Sequence, residues 1–190
     1  MTRIRPKVFL QAYGDSLTIG FPFSPLRSWP TLLSTELGTV VISSGENGRL
    51  LLEMVEEREK HLGGFQASYV TLLGGTNDIY SGFGAEFSLT KMKELAAYVE
   101  SQGSTPVICL PPPSLEREIE AELAKYREAM REWTSREGKN LLDFDSIFRN
   151  ESGEIIEVLF ADDCHPNTEG YQKMADRATE FFAPLFEEWE

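Results

Sequence analysis

Short apolar runs alternate with longer amphipathic stretches along the chain, and the spacing predicts strands and helices in turn. Val8-Phe9-Leu10 with Ala12, the β-branched Thr39–Ile42, Tyr69–Leu73, Thr105–Leu110 and the short Asn140–Phe144 read as strands. Helical periodicity predicts helices over Ser28–Leu37, Leu50–Leu62, Phe87–Ser101, from a Ser114 cap to about Glu137, and from Pro166 to about Glu187. Pro30 falls in a first turn, where its missing N–H is harmless. Gly63-Gly64 and Gly103 close their helices, and Pro111-Pro112-Pro113 stops the fourth strand.

The first, third and fourth strands are continuous apolar runs rather than alternating ones. That pattern belongs to a parallel sheet covered by helices on both faces, an α/β fold. No internal repeat, low-complexity tract or linker interrupts the alternation, so residues 1–190 are expected to form one domain. Open parallel sheets bind ligands outside the C-terminal ends of their strands. Three polar segments belong there, Gly14-Asp15-Ser16, Ser43–Arg49 and Gly74–Asp78, and a fourth, Asp162–Asn167 before the last helix, reaches the same edge if that helix returns along the sheet in the usual way.

Composition narrows the partners. The chain is 41% hydrophobic and 26% charged, ordinary values for a globular protein, and its net charge is −13. Such a surface repels phosphate backbones and anionic membranes, so neither nucleic acid nor stable membrane association is expected. The N-terminal stretch is basic, but its apolar run is short and lacks a small-residue cleavage site, so no signal peptide is read. Two cysteines, Cys109 and Cys164, are too few for a disulfide framework, and a cytoplasmic location is expected. Oligomeric state is not legible.

The four segments contain complementary chemistry. A serine hydroxyl is a weak nucleophile until a base removes its proton. Ser16 is placed for that role, and His165 is the better base of only two histidines, since His61 sits near the end of a charged helix and reads as a surface or cap residue. Asp162, three positions earlier, is suited to orient the imidazole. The backbone N–H groups of Ser16 and Gly48 and the side-chain amide of Asn77 are candidate oxyanion donors, each of a kind worth about 10²–10³ in turnover. Each segment alone reads more readily as a turn or a helix-start device than as part of a site, and Asp15 and Asp78 are expected only to tie down their loops. Cys164 beside His165 is a rival nucleophile, but reads better as a small filler. Metal ligands are sparse: Asp162 with Asp163 would hold Mg²⁺ only weakly.

In combination the segments resemble the SGNH hydrolase superfamily of GDSL-type esterases and lipases. Gly14-Asp15-Ser16-Leu17, Gly75-Thr76-Asn77-Asp78 and Asp162-x-x-His165-Pro166-Asn167, followed by Gly170-Tyr171, match that superfamily's blocks across nearly the whole chain. The remaining block departs from the pattern. Ile42 or Ser43 stands where the family has Asn, and Leu50 where it has Thr, although Gly45-x-x-Gly48 is kept. The resemblance implies a three-layer α/β/α sandwich with a flavodoxin-like five-stranded parallel sheet in the order 2-1-3-4-5. It implies Ser16 as nucleophile, His165 as general base and then acid, Asp162 as its orienter, and Gly48 and Asn77 as oxyanion donors. The reaction it implies is two-step acyl transfer to water through an acyl-serine, without a cofactor. A small or short-acyl ester is the expected substrate. Lysophospholipase, thioesterase and carbohydrate O-acetyl esterase activities remain open, with Arg27 and Arg49 available to an anionic group, as does a catalytically silent binding module.

Overall fold

The computed structural model describes residues 7–189, so the basic N-terminal stretch at residues 1–6 lies outside it. In chain order the regular elements are β1 (Lys7–Gly14), α1 (Ser16–Ile19), α2 (Trp29–Leu37), β2 (Val41–Gly45), α3 (Leu51–Leu62), β3 (Gln66–Leu73), α4 (Thr76–Tyr80), α5 (Ala85–Ser101), β4 (Thr105–Leu110), α6 (Arg117–Glu137), β5 (Asn140–Asp143) and α7 (Thr168–Trp189). All five strands are parallel, in the order β2-β1-β3-β4-β5.

Both faces of the sheet are apolar because both are covered. Successive β4 side chains divide between two cores. Ile108 and Leu110 pack with Leu51, Met54, Met92, Leu95, Leu123 and Tyr126 under α3, α5 and α6. Val107 and Cys109 pack with Trp29, Leu33, Tyr171, Met174 and Phe182 under α2 and α7. Burying such side chains stabilises the fold by about 1.5–3 kcal/mol each, which is why the strands carry continuous rather than alternating apolar runs.

Several boundaries differ from the sequence reading. β2 runs Val41–Gly45, later than expected, because Gly38 turns left-handed after α2 (φ 65°) and the Thr39 N–H closes on the Ser34 carbonyl. Val40 is left exposed, and Ser43, Ser44 and Gly45 join the sheet beside Ala12, Tyr13 and Gly14. Ser114 does not cap α6. Its hydroxyl accepts from the Glu116 N–H in a turn ahead of the helix. Nor does Pro166 open the last helix. It pairs with Phe160 in a β-bridge, and α7 begins two residues later, where the Asn167 side chain accepts from the N–H groups of Glu169 and Gly170. The one-turn helices α1 and α4 were too short for periodicity to reveal. Among the described residues, no helix is long and apolar enough to cross a membrane.

Candidate active site

Ser16 opens α1 directly after β1. The Asp15 carboxylate makes this turn by accepting from the Leu17 N–H at 2.9 Å. Gly14 does not bend the chain through a left-handed backbone, since its φ is not in that region. Glycine is required there by close approach: a Cβ would stand 2.2 Å from Thr18 Oγ1 and 2.4 Å from the Leu73 carbonyl. The strand and the helix that carries Ser16 therefore lie closer together than any side chain would permit.

The segment before α7 reaches the same edge of the sheet. His165 Nε2 lies 3.0 Å from Ser16 Oγ, and His165 Nδ1 lies 2.8 Å from Asp162 Oδ2. Asp162 Oδ1 accepts from the backbone N–H groups of His165 (2.8 Å) and Cys164 (3.0 Å). Partial burial opposes ionisation of Asp162. These two backbone donors and the His165 ring outweigh it and hold the carboxyl below its ordinary value. Three residues separated by nearly 150 positions are thus joined in one line.

Neighbouring groups hold this line in place. The Phe21 ring packs at a steep angle on the His165 imidazole, with centroids 4.7 Å apart, and Tyr171 Oη fixes the Phe21 carbonyl at 2.6 Å. The Asp163 carbonyl accepts from the Leu115 N–H and the Ser114 hydroxyl, and Tyr80 Oη lies 2.9 Å from that hydroxyl. Ser114 N–H in turn donates to Glu120, which Arg127 and Arg149 hold from the other side. Sequence reasoning missed Phe21, Tyr80, Ser114 and Tyr171 as supports, because their partners lie at distant positions along the chain and share no local motif with them.

The other candidates are placed unevenly. Asn77 donates one amide N–H to the Arg49 carbonyl at 3.0 Å, which ties its segment to the one carrying Gly48. Gly48 is exposed with φ 75°, whereas Gly45 is packed so closely that a Cβ would lie 2.6 Å from the Ile19 nitrogen. Asp78 accepts from the Leu51 N–H with both oxygens, a loop tie as expected. Arg49 corrects its expectation: it is buried, braces the Gly14 and Ser44 carbonyls and pairs with Glu46, so it is not presented to a ligand. His61 is neither cap nor free surface. It stacks on Tyr13 and contacts Arg49 and Glu57. Burial, reinforced by the Asp162 carboxylate, pushes the Cys164 thiol up to about 12. That thiol lies 3.5 Å from Nδ1, on the side of the ring away from Ser16, and stays protonated near neutral pH, as a filler would.

Asp15 carries a further consequence. Complete burial raises its carboxyl to about 7, helped by the nearby Asp78 charge and opposed by the Leu17 N–H and Arg49, and its second oxygen is buried without a partner. The unfolded chain loses this proton near pH 4, whereas the folded chain keeps it until about pH 7, so the contribution to stability is fully present below 4 and lost as pH rises through 7. Asp15→Asn is expected to remove this slope. In urea unfolding from pH 4 to 8, the variant should gain on the wild type by on the order of 3–4 kcal/mol. Parallel curves would show that the carboxyl is not buried as described.

Among curated protein sequences, none matches the chain. Solved structures match its fold closely. A member of the lipolytic protein G-D-S-L family from Veillonella parvula DSM 2008 superposes with a TM-score of 0.82 at 21% identity, over 92% of this chain and 97% of that one. A GDSL-like lipase from Bacteroides thetaiotaomicron VPI-5482 gives 0.79 at 16%, over 93% and 88%. An acetyl xylan esterase gives 0.79 at 17%, over 92% and 99%. At such identities the likeness is one of fold. The sequence profile of the GDSL-like lipase/acylhydrolase family matches residues 12–173, from the strand before Ser16 to the first turns of the helix after His165. The chain therefore belongs to the GDSL-like lipase/acylhydrolase family and is a carboxylic ester hydrolase.

Proposed function

We propose that the protein hydrolyses small or short-acyl carboxylic esters through an acyl-serine on Ser16. The observation that carries this reading is the unbroken line Asp162–His165–Ser16, with contacts of 2.8 and 3.0 Å. Asp162 accepts the Nδ1 proton and so selects the tautomer whose Nε2 lone pair faces the serine hydroxyl. As Ser16 Oγ bonds to the acyl carbon, its proton moves to Nε2, and the carbonyl electrons collect on oxygen. The Ser16 and Gly48 N–H groups and the second Asn77 amide N–H receive that charge. Collapse of the intermediate expels the alkoxide, which takes the Nε2 proton. Water, deprotonated by the same nitrogen, then hydrolyses the acyl-serine.

The small substrate is supported by what borders the line. Phe21, on the segment after α1, packs on the His165 ring, and Tyr80, the last residue of α4, contacts Ser114 against the Asp163 carbonyl; both rings are partly exposed. Single rings of this kind cover a short acyl chain, whereas a long chain needs a continuous apolar groove. The ester of a carbohydrate hydroxyl fits the same class, the kind of substrate named for one structural neighbour. A cytoplasmic location is supported by the two unpaired cysteines. The test is a panel of p-nitrophenyl esters of increasing chain length, with a fluorophosphonate as the blocking agent. Acetyl and butyryl esters should turn over fastest, and one equivalent of probe on Ser16 should stop all of it. Turnover confined to long chains would overturn the substrate class, and full activity without an adduct on Ser16 would overturn the mechanism.

A further inference from the structure

We infer that Asp162, Cys164 and His165 form a site for a thiophilic divalent cation such as Zn²⁺ or Cd²⁺, and that occupying it switches the enzyme off. The three donors are a carboxylate oxygen, a thiol sulfur and a ring nitrogen, all within 4.8 Å of one another. A tetrahedral ion with ordinary Zn–N, Zn–O and Zn–S bonds sets neighbouring donors about 3.4–3.6 Å apart. Cys164 Sγ and His165 Nδ1 already stand at 3.5 Å. The Asp162–Nδ1 pair, at 2.8 Å, needs to open by about half an ångström, a side-chain adjustment within reach of a carboxylate that is 44% exposed. A second cluster of potential ligands, Glu46, Glu57 and His61, offers no such place, because the Arg49 guanidinium already lies among its three side chains.

The consequence follows from the nitrogen involved. An ion on Nδ1 uses the lone pair there, so the ring proton must reside on Nε2. Nε2 is the atom that accepts from Ser16 in acyl transfer, and once protonated it cannot do so. Binding breaks the S–H bond of Cys164 and forms the metal–sulfur bond, and the thiol proton leaves to solvent. The Nδ1 proton is exchanged for one on Nε2, so one proton is released overall. The inhibition rests on the acyl-transfer reading, whereas the binding does not.

The experiment therefore has two arms. In the first, Cd²⁺ is titrated into wild type, Ser16→Ala and Cys164→Ala while the near-ultraviolet thiolate-to-metal charge-transfer band is followed. One equivalent should develop the band in the first two proteins and none in the third. In the second arm, Zn²⁺ should inhibit wild-type ester hydrolysis reversibly, with recovery on adding EDTA. Cys164→Ala should keep its basal activity but need roughly tenfold or more Zn²⁺ for the same inhibition. No band in wild type, or equal inhibition of Cys164→Ala and wild type, would overturn the site. A wild type that forms the band yet hydrolyses no ester would instead refute the acyl-transfer reading and leave the metal site standing.

Discussion

Ser16→Ala is expected to lower kcat for p-nitrophenyl acetate by roughly 10⁴–10⁶ with little change in fold. The loss is large because, among the described residues, the hydroxyl that stands at His165 Nε2 is that of Ser16, with its Oγ at 3.0 Å. The remaining activity would be what the oxyanion donors and binding give alone. The fold should survive because the turn is made by the Asp15 carboxylate and the Leu17 N–H, not by the serine hydroxyl. Steady-state kinetics beside a melting curve separates the two effects. Substantial hydrolysis by folded Ser16→Ala, or a dead Cys164→Ala, would give the nucleophile to another residue.

Asp162→Asn is expected to cost roughly 10³–10⁴ in kcat, for a reason specific to this loop. Asp162 Oδ1 is held by two backbone N–H groups, those of Cys164 and His165. An asparagine at 162 keeps those bonds only with its carbonyl oxygen in that position, which turns its NH₂ toward His165 Nδ1. The ring must then accept at Nδ1 and carry its proton on Nε2, the wrong tautomer for a base facing Ser16. KM should change far less than kcat, since the asparagine keeps the loop's backbone bonds and alters only the proton on the ring. An Asp162→Asn enzyme within tenfold of wild type would show that the carboxylate does not select the tautomer.

Both predictions concern residues that the sequence itself singled out, and the reason is chemical. Ser16, His165 and Asp162 lie in polar segments that follow apolar strands or precede a helix, and a chain with two histidines leaves few ways to assemble a base. The layer order was legible for a similar reason: apolar runs alternating with amphipathic stretches allow few arrangements besides a covered parallel sheet. The supports were not legible. Phe21 beside His165, Ser114 beneath Asp163 and Tyr171 on the Phe21 carbonyl are contacts between residues as many as 150 positions apart. Arg49 shows the same limit from the opposite side, since a cation in a polar loop looks available until its burial against Gly14 and Ser44 is seen.

By itself, then, the sequence determined the strand and helix alternation, the edge at which chemistry would gather, and the residues able to supply a nucleophile, a base and an orienter. These follow from side-chain type and periodicity, which are local properties. Only the tertiary structure decided that Gly14 is required by close packing rather than by a bend, and that the last helix begins after Pro166. It also decided that Cys164 stands on the Nδ1 side of His165 and not on the side facing Ser16. Each of these depends on which atoms distant parts of the chain bring within a few ångströms, a quantity set by packing and register and carried by no local pattern.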